Sequence, residues 1–212
     1  MKLGITQRVD LISDYNEYRD CLDQKWSKLF ERLDIQIIPI PNNLNNFDEW
    51  QKYIKCEGYI LTGGNDINHS RKSKNTSKKR DKTEKAILIN AIKNTLPVFG
   101  VCRGFQIMNM FLGGNIKRIH GHVANKHSIK VDFEFKNKYQ IKNVNSYHQW
   151  GVPESMLAKA LTPFAFDNQG NIEAAIYKSL NWIGIMWHPE REKYFKTYDL
   201  NLIKNVFINN DK

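Results

Sequence analysis

The sequence predicts an α/β protein built on an open, mostly parallel twisted sheet with helices on both faces. Three observations carry that expectation. Up to the helix that ends near Leu112, short apolar segments alternate with amphipathic ones, the arrangement of successive β–α units. "PVFGV" (97–101) is a near-continuous apolar run, as in a strand covered on both faces. From residue 115 the alternation stops and extended segments follow one another, which adds antiparallel strands to the C-terminal half.

Taken in order, "KLGIT" (2–6) reads as the first strand. A helical period then runs from Tyr15 through Tyr18, Leu22, Trp26, Leu29 and Leu33, all on one face. "IQIIPI" (35–40) is a strand closed by Pro41, and a short helix around "FDEWQKYI" leads to the strand "GYILTGG" (58–64). "DKTEKAILINAIKN" (81–94) is helical, with Ala86, Ile89 and Ile92 among its apolar positions. After the strand 97–101 and a helix from Phe105 to Leu112, extended segments are expected at 128–135, 139–146, 158–166, 172–177 and 182–187. A helix over about 197–209 closes the chain. With no internal repeat and no low-complexity linker, residues 1–212 are expected to form one domain.

A chain 41% hydrophobic and 12% aromatic has ample material for a packed core. No run approaches the roughly 18 apolar residues of a membrane span, and the N-terminus lacks the apolar core of a signal peptide. Three widely spaced cysteines, Cys21, Cys56 and Cys102, exclude a disulfide scaffold and fit a reducing cytoplasm. The net charge of +10 points to an anionic partner or substrate. Much of it lies in "RKSKNTSKKRDK" (71–82), seven Lys/Arg against one Asp, with Lys72, Lys74, Lys78 and Lys79 as candidate anion-binding groups. A solvated loop is the competing reading of that run. It has no aromatic residue for base stacking, so nucleic acid is not expected as a partner.

"GVCRG" (100–104) places a cysteine in a G-x-nucleophile-x-G frame between a strand and a helix. A tight strand-to-helix turn exposes the nucleophile, and the glycines let neighbouring backbone pass close by. The following helix points its positive end at the sulfur, and Arg103 is expected to add to that field. Cys21 and Cys56 have no such setting and read as structural. A thiolate nucleophile needs a proton shuttle held by a carboxylate. "WHPE" offers His188 and Glu190, two apart at a strand end, where i and i+2 face the same way. His148 in "NSYHQW" competes as base but has no acid at that spacing. His120 and His122 in "HGH" have no Asp, Glu or Cys within several residues, so no metal is expected; His69 and His127 lie in polar loops. Backbone amides of Arg103 and of Gly63-Gly64 in "LTGGND" would supply an oxyanion hole.

With these pieces located, the chain resembles the class I glutamine amidotransferase superfamily, and within it the γ-glutamyl hydrolase branch, peptidase family C26. The stretches that carry the resemblance are "ILTGGNDI", "RDKTE", "PVFGVCRGFQIMNMFLGGNI", "VNSYHQWG", "NIEAAI" and "IGIMWHPE", in family order. The resemblance implies a flavodoxin-like core, a Cys102–His188–Glu190 triad and an oxyanion hole from the amides of Gly64 and Arg103. It also implies that Gln106, with backbone groups around Ser146 and Tyr147, binds the glutamyl end of the substrate. The Gly-Gly-Asn-Asp form is closer to the hydrolases than to amidotransferase subunits, so an obligate synthetase partner is not expected and no cofactor is required. Where the family has a proline after Gly-Gly-x-Asp, this chain has Asn68, His69 and the basic run, a departure at the leaving-group side. Two rivals stay open: a glutaminase subunit that passes ammonia to a synthetase, and a non-catalytic, basic nucleic-acid-binding protein on the same fold.

Overall fold

The structure is a computed structural model, and it describes residues 1–71, 73–136 and 139–208. The first half runs β1 (Lys2–Thr6), β2 (Arg8–Ile12), β3 (Glu17–Cys21), α1 (Lys25–Glu31), β4 (Gln36–Ile40), α2 (Phe47–Ile54), β5 (Gly58–Leu61), α3 (Lys78–Lys93), β6 (Val98–Val101) and α4 (Arg103–Phe111). The second half runs β7 (Lys117–Arg118), β8 (Val123–Ser128), β9 (Lys130–Val131), the short α5 (Phe133–Lys136), β10 (Asn143–Tyr147), β11 (Trp150–Pro153), β12 (Thr162–Phe166), β13 (Asn171–Tyr177), β14 (Trp182–Ile185) and α6 (Thr197–Phe207).

The main sheet has the order β4-β1-β5-β6-β14-β13-β11-β7. Its first five strands pair in parallel. Numbered among themselves in chain order they stand 2-1-3-4-5, the flavodoxin-like arrangement. Beyond β14 the pairings to β13, β11 and β7 are antiparallel, as are those of β12 to β13 and β9. The expected α/β architecture, with antiparallel strands added in the C-terminal half, is therefore the observed one.

Two apolar layers cover the sheet because successive strand residues face opposite ways. Ile60, Phe99, Val101 and Ile183 face a layer with Trp26, Leu29 and Phe30 of α1 and Leu202, Ile203 and Val206 of α6. Tyr59, Leu61, Val98 and Trp182 face Phe47 of α2, Ile87 and Leu88 of α3, and Phe105 and Met108 of α4.

The helical reading from Tyr15 is corrected. Residues 8–21 form a β-hairpin, with Val9 opposite Asp20 and Leu11 opposite Tyr18. Its turn is Ser13–Asn16, where Asn16 takes a left-handed φ of 50°. Tyr15 and Tyr18 are exposed, and Cys21 ends a strand instead of lying in a helix. The helix starts only at Lys25, and its Trp26 and Leu29 are the buried part of the period. Two smaller differences follow from packing. Ile89 and Ile92 of α3 face solvent, while Ile87, Leu88 and Ala91 are buried. Residues 133–135, the end of the expected segment 128–135, belong to α5.

Helix α3 also begins earlier than the sequence suggested, inside the basic run. Ser77 caps it by accepting from the Arg80 amide at 3.2 Å. That start buries Arg80 and Glu84, both 0% exposed, paired at 2.9 Å. Arg103, the first residue of α4, closes the cluster on Glu84 and Asp81. Arg80 then reaches β5 and the loop beyond it, donating to the Thr62 carbonyl at 2.7 Å and to Asn65 Oδ1 at 3.3 Å. One buried ionic cluster thus ties α3, α4 and the loop after β5.

Removing one member of a buried cluster leaves the other charges without partners, which costs about 3–5 kcal/mol. Glu84→Gln is expected to lose that much in urea unfolding. Glu17→Gln, which breaks the pair with Arg19 that is more than half exposed, is expected to change stability by less than about 1 kcal/mol.

Candidate active site

Cys102 occupies the joint between β6 and α4 with φ 53° and ψ −105°, a conformation that L-residues rarely adopt. Its surroundings hold it there. The Cys102 amide donates to the Ile185 carbonyl at 2.7 Å, anchoring the joint to β14, and the Cys102 carbonyl accepts from the Gln106 amide at 3.0 Å. The flanking glycines serve close approach. A Cβ on Gly104 would overlap the Leu61 carbonyl of β5, and one on Gly100 would lie 2.8 Å from the Gly104 carbonyl carbon. Cys102 is buried and packs into the core on one side, yet it also lines the cleft described below, and the chain is bent sharply around it.

His188 follows β14 and is buried. Asn145 of β10 fixes its backbone from both sides, accepting from the His188 amide and donating to the His188 carbonyl, each at 2.8 Å. Its Nδ1 lies 2.7 Å from Glu190 Oε1. A carboxylate only accepts, so Nδ1 carries the hydrogen and Nε2 is left for another partner. The pairing arises in a different way from the expected extended strand: residues 189–191 form a single 3-10 turn with Pro189 at its start, and the turn folds Glu190 back. Burial opposes a charge on His188, but the nearby Glu190 and Cys102 outweigh it and raise the pKa to about 9. The loop after β5 packs against the same ring, since a Cβ on Gly63 would stand 2.5 Å from His188 Cε1.

A cleft of about 230 Å³ opens over the joint. Cys102, Arg103 and Gln106 form its floor, Gly64–Asp66 with Lys74 and Asn75 one wall, and Arg118 with Tyr147–Trp150 the other. It lies at the carboxyl ends of β5 and β6, where open α/β sheets bind ligands. Gln106 donates to the Trp150 carbonyl at 2.8 Å and so faces the Tyr147–Trp150 wall. The Arg191 guanidinium lies 4.4 Å over the Tyr147 ring, which itself stands edge-on to His188.

Most of the residues singled out in the sequence converge here: Cys102, His188 and Glu190 at the joint, and Gly64, Arg103, Gln106 and Tyr147 around the cleft. Ser146 is fully buried and spends its hydroxyl on the His122 carbonyl at 2.8 Å, so its side chain does not face the cleft. The four candidate lysines are not brought together. Lys74 lines the cleft, Lys78 borders a separate groove beside Lys85, and Lys79 is exposed on the first turn of α3. Lys72 lies outside the described residues. The Arg103 side chain is turned away into the buried cluster, so only its backbone faces the cleft chemistry. His148 turns its Nδ1 to the Trp150 carbonyl at 3.1 Å and its Nε2 towards Glu173, away from the role of base. Cys56 is buried, and burial pushes its thiol up to about 11. Asn65 and Gln149 lie in motifs quoted from the sequence but have no role assigned there, and Arg118 lies in none of the quoted stretches.

Residues 4–190 match the Peptidase C26 family. The chain is 35% identical over 195 residues to the γ-glutamyl-CDP-amidate hydrolase of Campylobacter jejuni, with 91% of each chain covered. It is 28% identical over 152 residues to one of the subunits of the glutamine-hydrolysing GMP synthase of Methanococcus vannielii, covering 70% of this chain and 71% of that one. In structure it is similar to the glutaminase domain of Trypanosoma brucei CTPS with bound acivicin, with a TM-score of 0.70 at 15% identity, over 96% of this chain and 91% of that one. Fold, match and site lead to one statement: the chain belongs to the peptidase C26 family.

Proposed function

We propose that the protein is a cysteine hydrolase that cleaves a γ-glutamyl amide and releases L-glutamate. The observation that carries this reading is His188, held by Glu190 at 2.7 Å, with Cys102 beside Glu190 among the groups that favour its charged ring. Cys102 as thiolate attacks the γ-carbonyl carbon while His188 holds the proton. The amides of Gly64 and Arg103 stabilise the oxyanion of the tetrahedral intermediate, a task for which backbone donors need no ionisation. The C–N bond then breaks, the His188 proton passes to the leaving nitrogen, and a γ-glutamyl thioester remains on Cys102. Water, deprotonated by His188, attacks the thioester; the C–S bond breaks, glutamate departs, and the thiolate with the proton on His188 is restored. Gln106 and the backbone beside Ser146 and Tyr147 orient the glutamyl end.

For the leaving group we infer an anionic, nucleoside-diphosphate amidate of the kind the Campylobacter relative is named for, and with it a place in building the phosphoramidate group of a bacterial capsule. Lys74 and Arg118, on opposite walls of the cleft, support an anion there. The glutaminase reading is distinguished by substrate. Glutamate release from a γ-glutamyl nucleotide amidate without any added synthetase favours the hydrolase, and turnover of glutamine alone favours the rival.

Cys102→Ala is expected to abolish glutamate release while a γ-glutamyl conjugate still binds in calorimetry, because truncation removes bond-making only. Substantial turnover by that variant would overturn the mechanism. The imidazolium of His188 persists to about pH 9, so kcat/KM is expected to hold through neutral pH and fall along an alkaline limb near that value. Since the Glu190 carboxylate favours the charged ring, Glu190→Gln should move this limb to lower pH. A limb that stays in place would remove Glu190 from the triad.

The cations at the cleft make a separate prediction. Each exposed contact is worth about 0.2–1 kcal/mol, so a double variant is needed to see them. Lys74→Ala with Arg118→Ala is expected to raise KM for a phosphate-bearing γ-glutamyl substrate several-fold, spare kcat and flatten the salt dependence of kcat/KM. Hydrolysis of glutamine, which has no phosphate, is the internal control and should be unchanged.

A further inference from the structure

Behind the Tyr147–Trp150 wall, three histidines converge on one carboxylate. His122 Nε2 and His148 Nε2 each lie 3.8 Å from Glu173 Oε1, and His127 Nε2 lies 3.8 Å from Glu173 Oε2. All five of these atoms are buried and have no hydrogen-bond partner. Glu173 is 0% exposed, and His122 and His148 are each 4% exposed.

The tautomers sharpen the problem. His122 Nδ1 is 3.0 Å from the His120 carbonyl, His127 Nδ1 is 3.1 Å from the Ser128 carbonyl, and His148 Nδ1 is 3.1 Å from the Trp150 carbonyl. A carbonyl only accepts, so every Nδ1 carries the hydrogen and every Nε2 presents a lone pair. Three lone pairs and a carboxylate therefore point at one small buried space. A separation of 3.8 Å is too long for a shared proton in a hydrogen bond. A backbone carbonyl holding Nδ1–H while Nε2 faces inward is how metal-bound imidazoles are oriented.

We propose that His122, His127 and Glu173, with His148 at the fourth position, bind one structural Zn²⁺ ion. Ligand atoms of the first three already lie within 4.8 Å of one another. Tetrahedral zinc with bonds of about 2.0–2.1 Å holds its ligands about 3.4 Å apart, so the 3.8 Å pairs with Glu173 close by a few tenths of an ångström. Pairs out at 4.8 Å, and His148 outside that group of three, move in by about an ångström or more. Nitrogen donors with one carboxylate suit zinc over the oxygen-seeking Mg²⁺ and Ca²⁺. Asp167 is the competing partner, with Oδ2 at 3.0 Å from His122 Nε2. It is already engaged by the amides of Gln169 and Asn171 and by the Asn171 side chain, so it stands beside the site and not in it. Along the chain no acid lies near "HGH", which is why no metal was expected there; in the fold, β13 supplies Glu173 from 51 positions beyond His122. The ion would pin the segment before β8, the turn between β10 and β11, and β13 together, bracing the wall formed by Tyr147, Gln149 and Trp150. This site is independent of the proposed reaction.

The test uses the full chain carrying Cys102→Ser, so that the thiol cannot contribute a ligand. The protein is stripped with a chelator, titrated with Zn²⁺, desalted and assayed for metal by mass spectrometry, with the melting midpoint followed in parallel. One zinc per chain and a raised midpoint are expected, with Co²⁺ taking the same place and showing the visible spectrum of a four-coordinate ion. Glu173→Gln and His127→Ala should each weaken zinc binding at least about tenfold, while His120→Ala should leave it unchanged. His127 has a partly exposed side chain, so its variant keeps the comparison available even where Glu173→Gln fails to fold. A parent chain that retains no zinc, or zinc uptake that His127→Ala leaves untouched, would overturn the proposal.

Discussion

The structure turns on how closely the first turn of α4 approaches β5. Gly104 lies against the Leu61 carbonyl with no room for a side chain, and Gly100 is pressed from the other side by the same turn. That approach forces Cys102 into its left-handed φ and puts the amide end of α4 beside the loop that carries Gly63 and Gly64. It also drives the Arg103 side chain away from the cleft, to the side where α3 brings Asp81 and Glu84. Backbone contact and charge pairing thus enforce one another. Neither the start of α4 nor the loop after β5 can move without breaking the cluster that Arg80 extends to Thr62 and Asn65.

The hairpin β2–β3 belongs to the same construction. Asn65, which accepts from Arg80, also accepts from the Val9 amide at 2.8 Å and donates to the Val9 carbonyl at 2.7 Å. The loop after β5 is therefore held from the hairpin on one side and from α3 on the other. Asp20, directly opposite Val9 in the hairpin, accepts from the backbone and side chain of Asn42, fixing the same end of the hairpin to the residues just after β4. A loop so tied can present backbone amides at a constant position, which is what stabilisation of a developing oxyanion requires.

What could be read from the sequence follows the reach of each interaction along the chain. The elbow at 100–104 was legible because strand, glycines, nucleophile and helix are covalent neighbours, and the pair His188–Glu190 because its members stand two apart. The hairpin was not legible. Its exposed Tyr15 and Tyr18 happen to continue, at helical spacing, the buried period of Trp26 and Leu29, and the turn at Ser13–Asn16 lacks glycine. In α3 the apolar Ile89 and Ile92 suggested a buried face, whereas the helix buries Arg80 and Glu84 because their charges satisfy one another there. The basic run was divided by that helix, which leaves Lys74 at the cleft and carries Lys78 to another groove. Glu173 was invisible as a partner of His122 and His127 because it stands on β13 of the main sheet, while they lie at and beside β8 in the separate β8–β10 ladder, and only the packing of the two brings them together.

The disposition of charge bears directly on how Cys102 is activated. The sequence suggested that Arg103, its neighbour, would favour the thiolate. In the fold Arg103 is shared between Asp81 and Glu84, and Arg80 is paired with Glu84, so these cations answer to carboxylates at closer range. A charge held in an ion pair exerts only the weak residual field of a dipole on a third group. His188 is different, because its carboxylate partner holds the ring at Nδ1, which leaves Nε2 free to face another group, and Cys102 is among the groups that favour its charge. Glu190 thereby strengthens the positive charge that faces the sulfur instead of cancelling it. The N-terminus of α4 adds a fixed dipole of the same sign, directed at the residue that begins the helix. In the proposed mechanism, activation therefore rests on a histidine whose charge is oriented by its partner and on a helix end that cannot turn away. The buried arginines serve to hold both in place.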